Sequence, residues 1–341
     1  MAEPKPLTSF RVFRGDPPAW IRADSWDSRA DLARLPRVKD FHSPETLHGW
    51  GMLRLLVAFS LLASSAFGAD DYGRSIETWR SERLAALTAP ESWLSLIGLH
   101  ALAPGAQTVG SGADNAIRLR AGPARLGVIT VAADRVVTLA LEPGVAATIG
   151  GQAIAQGGLA FTDEAPTRVR FGTASFIVIE RGGNLYLRVR DSETARRRDF
   201  VGIDSFPIDS RWRIEAQWIP FDPVRQVPIT NILGQTGPEP APGKAVFVYE
   251  GRTHELIAID EGGEDQLFFI LTDLTAGEET YGAARFLYTR RPREGRLLLD
   301  FNQVENPPCA FNPYSTCPLP PRENRLPFRL EAGEKTYRGV H

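Results

Sequence analysis

VRFGTASFIVIERGGNLYLRVRD, at residues 169–191, is the stretch that decides the fold class. It holds three short apolar or alternating runs, which are Val169–Phe171, Phe176–Glu180 and Leu185–Val189. Runs of this length that are rich in β-branched and aromatic residues are typical of strands. The two glycines at positions 182 and 183 provide the tight turn that a hairpin needs. The segment therefore predicts three strands, of which the last two form an antiparallel hairpin.

The residues before this segment repeat the same pattern. Four more strands are predicted, at Thr108–Val109, Ile117–Leu119, Gly127–Val131 and Val136–Leu141. Many short strands at close spacing indicate a β-sandwich, which we assign to residues 104–205. The chain of 341 residues, of which 43% are hydrophobic, is long enough for about two domains.

The order of pieces in the sandwich resembles that of forkhead-associated (FHA) or SMAD-type domains. The matching pieces are VGSGADNAIRL, GVITV, IGGQAI and VRFGTASFIVIE, over residues 108–190. In the phosphothreonine-binding members an arginine follows the first glycine, whereas here Gly110 is followed by Ser111, and the later loop AGPARLG lacks their serine and histidine. Because the arginine that would donate paired hydrogen bonds to the phosphate is missing, we expect no phosphothreonine-peptide partner.

The sandwich is flanked by a helical segment and by a second β domain. Ile76, Trp79, Leu84 and Leu87 recur at helical spacing, so residues 70–103 are predicted to hold one short amphipathic helix and then the apolar element WLSLIGLH. Residues 206–341 are predicted to form a second antiparallel β domain. Its strands are Ile214–Ile219, Val227–Ile229, Ala245–Tyr249, His254–Ile259, Leu267–Thr272, Arg285–Tyr288 and Arg296–Phe301, with PEPAPGK at Pro238–Lys244 as an exposed loop.

The segment Met52–Gly68, MLRLLVAFSLLASSAFG, is typical of a cleaved export signal. It has a basic start, an apolar run, and Ala66 and Gly68 at the positions that signal peptidase prefers. We therefore predict that translation starts at Met52, that residues 1–51 are a non-native or disordered leader, and that the mature protein is exported to the periplasm. An uncleaved anchor is the first alternative, although about 16 apolar-biased residues are short against the roughly 20 that a span needs. A buried helix is the other.

The charge balance after cleavage excludes one class of partner. Removal of residues 1–68 leaves 30 Lys and Arg against 34 Asp and Glu, a formal charge of −4. A chain without excess basic residues gains little from counterion release, so we expect no nucleic-acid partner. The export signal is the only membrane contact that we predict.

The two cysteines, Cys309 and Cys317, lie close together in the C-terminal region. An exported protein meets an oxidising compartment, so we predict that they form a disulfide. Closing a loop of this length contributes about 2.5 kcal/mol in the chain-entropy estimate. A metal site is the weaker alternative because no His or further Cys is near.

The proline-rich run FNQVENPPCAFNPYSTCPLPPRENRLPFRLEAGEK surrounds these cysteines. Proline lacks the backbone donor, so the run cannot be a helix or a central strand, and we predict an ordered irregular loop with a polar surface. Asp300 and Asn302 are two residues apart at the end of a predicted strand, so their side chains point to the same side of it. The candidate ligand surface consists of Tyr281, Arg285, Asp300, Asn302, Asn306, Glu323, Asn324 and Glu334.

Three interpretations of these residues stay open. Asn and Asp can satisfy the backbone of a loop that is rich in proline. They can also line a ligand pocket at a strand end. A carboxylate pair such as Asp300 and Glu323 can act as acid and base in glycoside hydrolysis. Glu334 beside Lys335 is interpreted as a solvated ion pair.

Seven motifs resemble a known family. They are WLSLIGLHALAPG, VGSGADN, FPIDSRWRI, GEETYGAARFLY, LLLDFNQVENPPCAF, TCPLPPRENRLPF and AGEKTY, in this order over residues 75–337. They are similar to bacterial proteins that carry the domain of unknown function 1684. The resemblance supplies no catalytic residues, and it implies one compact unit in which these motifs meet.

The signatures of several enzyme classes are missing from the sequence. After Gly68 the histidines are His100, His254 and His341, and no GxSxG elbow, P-loop, GxGxxG unit or HExxH occurs. We predict no cofactor and no metal. Two functional hypotheses follow. One is an exported cell-envelope binding or interaction protein, whose partner is a small molecule or an envelope protein. The other is a carboxylate-dependent hydrolase that uses the region Asp300–Glu334.

Overall fold

The computed structural model describes residues 71–162 and 165–339, so the predicted leader and signal peptide lie outside the described residues. Helix α1 spans residues 71–88, as the apolar spacing predicted. Ile76 and Leu87 are buried on its inner face. Arg83, which lies seven residues after Ile76 on the same face of the helix, is also buried.

Eleven strands follow before residue 192. They are β1 (Leu96–Ala101), β2 (Gly105–Gly110), β3 (Ile117–Arg118), β4 (Gly127–Val131), β5 (Val137–Leu141), β6 (Thr148–Ile149), β7 (Gln152–Ala153), β8 (Gln156–Gly158), β9 (Val169–Phe171), β10 (Ala174–Arg181) and β11 (Asn184–Asp191). One sheet has the order β1-β11-β10-β9-β6-β7 and the other β3-β2-β4-β5-β8. The two sheets enclose a core that includes Val109, Ile129, Phe176 and Leu187. The predicted sandwich is therefore present, and its assignment to the FHA or SMAD type stays a prediction.

The second half of the chain begins with helix α2 (Ala195–Arg198) and is dominated by antiparallel strands. They are β12 (Arg213–Thr230), β13 (Thr236–Tyr249), β14 (Arg252–Ala258), β15 (Gln266–Leu271), β16 (Arg285–Arg290) and β17 (Arg296–Asp300). One sheet has the order β14-β13-β12-β17, and β15 pairs with β16. A bridge between Ile259 and Phe268 connects the two sheets, and the strands curve into a half-barrel.

Strand β15 of the half-barrel buries both of its faces. On β15, Leu267 and Phe269 belong to one apolar cluster, while Phe268 and Ile270 belong to the other. We call the second side, which carries Phe268 and Ile270, the inner face. Because successive residues of a strand point to opposite sides, a continuous apolar run such as QLFFIL serves both clusters.

The segment PEPAPGK, at Pro238–Lys244, is not an exposed loop as predicted but part of β13. It pairs with β12, in a register that places Glu239 opposite Val227 and Pro240 opposite Gln226. The prolines fall at every second position of the strand, so the backbone positions that lack an N–H group all lie on the side away from β12. On that side the neighbouring strand β14 pairs with β13 only from Gly243 onward, and so the prolines cost no hydrogen bond of the ladder.

Two other segments qualify the sequence prediction. The last five residues of WLSLIGLH belong to β1, which pairs with β11 and extends the sandwich. The proline-rich C-terminal run is irregular, as predicted, with 3₁₀ turns at Phe301–Gln303, Pro308–Ala310 and Arg322–Asn324.

Candidate functional site

The eight residues that were predicted as one ligand surface do not share an exposed face. Tyr281 is half-buried and Glu323 is exposed. The other six are buried, namely Arg285, Asp300, Asn302, Asn306, Asn324 and Glu334. The C-terminal run folds over the half-barrel, where its polar groups meet backbone atoms that have no strand partner. A ligand-binding role for these eight residues stays a prediction.

Asn324 joins two strands of the half-barrel. Its Oδ1 accepts a hydrogen bond from Ile257 N at 2.7 Å, and its Nδ2 donates to the carbonyl oxygens of Ile257 and Ile270 at 2.9 Å. All of these bonds are buried. Asn324 therefore acts as a bridge between β14 and β15, and it offers no free group to a ligand.

Arg285 likewise holds the C-terminal segment on β16. Its Nη1 donates to Asp273 Oδ2 and to the carbonyl oxygen of Leu330, each at 2.9 Å. Its Nη2 donates to the carbonyl oxygen of Ala332. Burial lowers the pKa of Arg285, and the carboxylate of Asp273 opposes that shift. The pair is a buried structural link.

A third group joins α1 to the C-terminal segment. Arg83 Nε lies 3.0 Å from Glu334 Oε1 and 3.4 Å from Glu305 Oε2, and Arg83 Nη2 donates to the carbonyl oxygen of Asn306 at 2.9 Å. Glu334 Oε2 accepts from Asn306 N at 2.6 Å. The interpretation of Glu334 as a solvated partner of Lys335 is therefore wrong, because Glu334 is buried and its partner is Arg83.

Glu305 is the less buried of the two carboxyl side chains in this group. Burial raises its pKa from 4.5 to about 7, with Glu334 adding to the shift and Arg83 opposing it. The Glu305 side chain keeps 13% of its surface accessible, whereas that of Glu334 keeps 4%. Glu305 can therefore exchange a proton near neutrality, and the sequence had given neither Glu305 nor Arg83 a role in a site.

Asp300 and Asn302 do come together, at the start of α1. Tyr72 Oη donates to Asp300 Oδ1 at 2.8 Å and accepts from Asn302 Nδ2 at 2.9 Å. Burial raises the pKa of Asp300, although these hydrogen bonds oppose the shift. Burial and the bond to Asp300 raise the pKa of the Tyr72 phenol.

Asn302 also fixes the backbone of Asp209. Its Oδ1 accepts from Asp209 N at 3.1 Å, and its Nδ2 donates to Asp209 O at 2.8 Å. Asp209 in turn caps the 3₁₀ turn Ser210–Trp212, because its side chain accepts from Arg211 N at 2.9 Å. The clamp thus sets the position of Trp212.

Trp212 lies in the floor of a groove of about 650 Å³. Its ring centroid lies 5.0 Å from that of Tyr249 and 6.4 Å from that of Phe328, and the Tyr249 and Phe328 centroids are 4.4 Å apart. The Trp212 and Phe328 planes differ by 10°. Three rings that meet in this way provide a compact aromatic floor.

Charged side chains form the rim of the same groove. Arg211 donates to Asp209 Oδ2 through Nε at 2.8 Å and through Nη2 at 2.6 Å, and this lowers the pKa of Asp209. Arg329 lies 3.1 Å from the carboxylate of Glu331. Glu250 also lines the groove. The rim is therefore a mixed set of guanidinium and carboxylate groups without a strong excess of either sign.

The segments that build this groove lie within two of the family-like motifs, but the sequence did not indicate that they form a site. Asp209 and Trp212 belong to FPIDSRWRI, and Phe328 belongs to TCPLPPRENRLPF. An aromatic residue next to paired opposite charges was the signal available in both motifs. Their meeting depends on the fold of the half-barrel, and it could not be read from either motif alone.

The structure also bears on the predicted disulfide, on membrane-spanning helices and on metal sites. Cys309 and Cys317 form the predicted disulfide, with a Cα–Cα distance of 6.1 Å. Across residues 71–162 and 165–339, no helix has both the length and the apolar character needed to cross a membrane. In the same ranges His, Cys, Asp and Glu side chains do not gather in threes as a metal site would require.

Comparison with known proteins confirms the predicted family. Residues 198–335 match the family model described as "Protein of unknown function (DUF1684)". No curated protein matches the chain. The chain is similar to the solution NMR structure of an uncharacterized protein of Haloarcula marismortui, with 28% identity, a TM-score of 0.36, and coverage of 41% of this chain and 79% of that one. The motifs FPIDSRWRI, GEETYGAARFLY, LLLDFNQVENPPCAF and TCPLPPRENRLPF fall in the matched range with most of AGEKTY, so the C-terminal part of the chain matches the DUF1684 family model.

Proposed function

We propose that the chain is an exported cell-envelope protein that binds carbohydrate, and that the sugar lies in the aromatic groove. The observation that carries this proposal is the floor of Trp212, Tyr249 and Phe328 beneath a rim of paired charges. A concave site of this kind, with an apolar floor and a few polar groups, is typical of small-molecule binding.

The chemistry of the groove fits a neutral, hydroxyl-rich ligand. The C–H face of a sugar ring packs on an aromatic floor, and its hydroxyl groups can donate to carboxylates and accept from guanidinium groups. Arg211 and Arg329 already contact carboxylates. An anionic ligand would have to displace those partners, whereas hydroxyl groups can join them.

Export is supported by the sequence of residues 52–68, which has the basic start, apolar run and small terminal residues of a signal peptide. An exported protein meets the polysaccharides of the envelope. The intact mass of the protein produced from its own gene tests this part, since cleavage after Gly68 gives a mature chain that begins at Ala69. A mature chain that retains residues 1–51 would contradict it.

Titration calorimetry with soluble oligosaccharides, such as chitotetraose, maltotetraose and cellotetraose, tests the ligand class. We expect one of them to bind, and Tyr249→Ala to weaken that affinity by about tenfold because one ring of the floor is lost. Arg211→Gln should weaken it as well without changing the fold, since its side chain is 86% exposed. Arg118→Gln, at an exposed position of β3, is the matched control.

Two outcomes would contradict the proposal. Equal affinity of the parent, Tyr249→Ala and Arg211→Gln would show that the sugar binds elsewhere. Absence of binding by every oligosaccharide would refute the ligand class.

The alternative of a carboxylate-dependent hydrolase is favoured by one observation, the pKa of Glu305 near 7, which suits a general acid. Hydrolysis by two carboxyl groups also needs a second group that can reach substrate. Glu334 is 4% exposed and both of its oxygens are occupied, so it can position Arg83 but cannot attack. Release of reducing sugar by the parent but not by Glu305→Gln would establish the hydrolase.

A further inference from the structure

A second cavity, apart from the aromatic groove, opens on the β-sandwich. Its volume is about 720 Å³, which is within the range of small-molecule sites. Asp134, Arg135 and Val136, in the turn between β4 and β5, line it together with Glu180 of β10, which belongs to the other sheet. Val136 is 53% exposed and Phe161 is half-buried, so the cavity presents apolar surface beside these charged groups. It shares no residue with the groove.

Arg135 has a backbone conformation that is unusual for its residue type. Its φ is 68°, in the left-handed region that favours glycine. Hydrogen bonds from Arg135 N to Ala132 O and from Ala132 N to Val136 O, each at 2.9 Å, close the turn around it. Glycine would fit this position without strain, and strained residues cluster at functional sites. The arginine is therefore a candidate for a role that glycine cannot perform.

The Arg135 side chain is held at the cavity while part of its donor capacity stays unused. Its Nη2 lies 3.0 Å from Glu180 Oε1, and its Cζ lies 5.9 Å from the centroid of the Phe161 ring. Its side chain is 47% exposed, and its Nε and Nη1 meet no acceptor among the described residues. A guanidinium carries several N–H donors and binds carboxylates through paired hydrogen bonds. Arg135 can thus bind the carboxylate of a ligand while Glu180 holds it in place.

Acceptors for a positively charged group lie beside this arginine. Asp134 Oδ1 accepts from Val136 N at 3.2 Å, and within residues 71–162 and 165–339 Asp134 has no ion-pair partner. With Glu180, the cavity has two carboxylates and one guanidinium in its lining. A ligand that carries both a carboxylate and an ammonium group complements this set, whereas a simple anion does not.

A strand edge borders the cavity at Gly158. The strand that contains it, β8, lies at the end of its sheet next to β5. Leu159 N donates to Val137 O at 2.8 Å, so the backbone of Leu159 points to β5, and by the alternation of a strand that of Gly158 points away from β5. Gly158 is exposed, and a β-carbon added there would meet no atom within 4 Å. Its N–H and C=O groups are thus open to a peptide group, as in recognition by strand addition.

We propose that the sandwich cavity binds a short peptide with free termini, of the size of a dipeptide, that carries an apolar side chain. The carboxylate of the peptide lies on Arg135, and its ammonium group lies on Asp134 and Glu180. The peptide group lies beside Gly158, and the apolar side chain packs on the exposed Val136. This site is independent of the carbohydrate proposal, because the two cavities have no residue in common.

Titration calorimetry with the dipeptide alanyl-phenylalanine tests the ligand class. Its N-acetyl form lacks the ammonium group, and its C-terminal amide lacks the carboxylate. We expect each blocked form to bind at least about tenfold more weakly than the free dipeptide. Absence of binding by the free dipeptide, or equal affinity for it and either blocked form, would overturn the proposal.

Asp134→Asn tests the ammonium contact. Asparagine keeps an oxygen that accepts from Val136 N, so the turn is preserved while the charge is removed. The variant should bind the free dipeptide more weakly than the parent does and bind the N-acetyl form as the parent does. An equal loss of affinity for both forms would contradict the ammonium contact.

Arg135→Gly separates binding from stability. It removes the guanidinium and relieves the strained turn, so the affinity for the dipeptide should fall at least about tenfold while the melting temperature stays at or above that of the parent. Glu294→Gly is the matched control, because Glu294 also has a positive φ, of 52°, and is exposed in the turn between β16 and β17. It should change the melting temperature in the same direction and bind the dipeptide like the parent. Full affinity in Arg135→Gly, or an equal loss of affinity in Glu294→Gly, would overturn the proposal.

Discussion

Asn302→Ala removes the clamp that links helix α1, the end of β17 and the turn before β12. Asn302 is completely buried. Its amide accepts from Asp209 N at 3.1 Å and donates to Asp209 O at 2.8 Å and to Tyr72 Oη at 2.9 Å. Alanine can replace none of these bonds.

The expected loss follows from the groups that are left behind. A buried donor or acceptor without a partner costs about 1 to 3 kcal/mol, and the substitution strands both backbone groups of Asp209. We therefore expect the free energy of unfolding to fall by about 3 kcal/mol, which is a large part of the ~5 to 15 kcal/mol that stabilises a typical domain. The turn that carries Trp212 should loosen with it, and oligosaccharide affinity should fall.

Urea unfolding of the parent and the variant measures the first effect. Asn184→Ala is the matched control, because Asn184 is exposed in the β10–β11 hairpin and bonds only to Gly182 O at 3.2 Å. Its free energy of unfolding should change by less than about 0.5 kcal/mol. A loss below about 1 kcal/mol for Asn302→Ala, with an unchanged urea dependence, would refute the reasoning from stranded backbone groups. A large loss with unaltered oligosaccharide affinity would refute the link to the groove.

Three further predictions follow from the same contacts. Asn324→Ala should lower the free energy of unfolding by about 3 kcal/mol, whereas Glu323→Ala at the exposed neighbouring position should change it by less than about 0.5 kcal/mol in the same urea experiment. Because the folded-state pKa of Glu305 is raised from 4.5 to about 7, its carboxyl stabilises the fold below pH 4.5 and loses that contribution as the pH rises through 7. Over that range the parent should lose up to about 3 kcal/mol more than Glu305→Gln, and parallel pH curves would contradict this. Replacement of Cys309 and Cys317 by Ser should cost about 2.5 kcal/mol, and equal melting of the parent with and without reductant would argue against it.

The sequence predicted the parts of the fold that depend on local chemistry. The β10–β11 hairpin follows from two glycines with positive φ between alternating runs, and its register pairs Arg181 with Asn184 across them. Helix α1 and the disulfide of Cys309 and Cys317 were predicted for similar reasons, since spacing and proximity are visible in the sequence.

The parts that were missed depend on residues far apart in the chain. Arg83 shares the inner face of α1 with Ile76 and Leu87, and a charged side chain is stable there because Glu334 and Glu305 reach it from the C-terminal segment. Proline normally excludes a strand, yet Pro238 and Pro240 are accommodated because the side without donors has no partner strand. Local patterns contain neither kind of information.

The anchoring of helix α1 has a consequence for the order of events during synthesis. The partners of Tyr72 and Arg83 lie 228 and 251 residues later in the chain. At translation rates of about 5 to 20 residues per second, the helix waits roughly 12 to 50 s before Glu334 leaves the ribosome. Throughout that interval Tyr72 and Arg83 of the nascent chain lack their partners, although Arg80 and Thr88 can already meet Phe206 and Arg197, so the proposed export would act on a chain whose helix α1 is only partly docked.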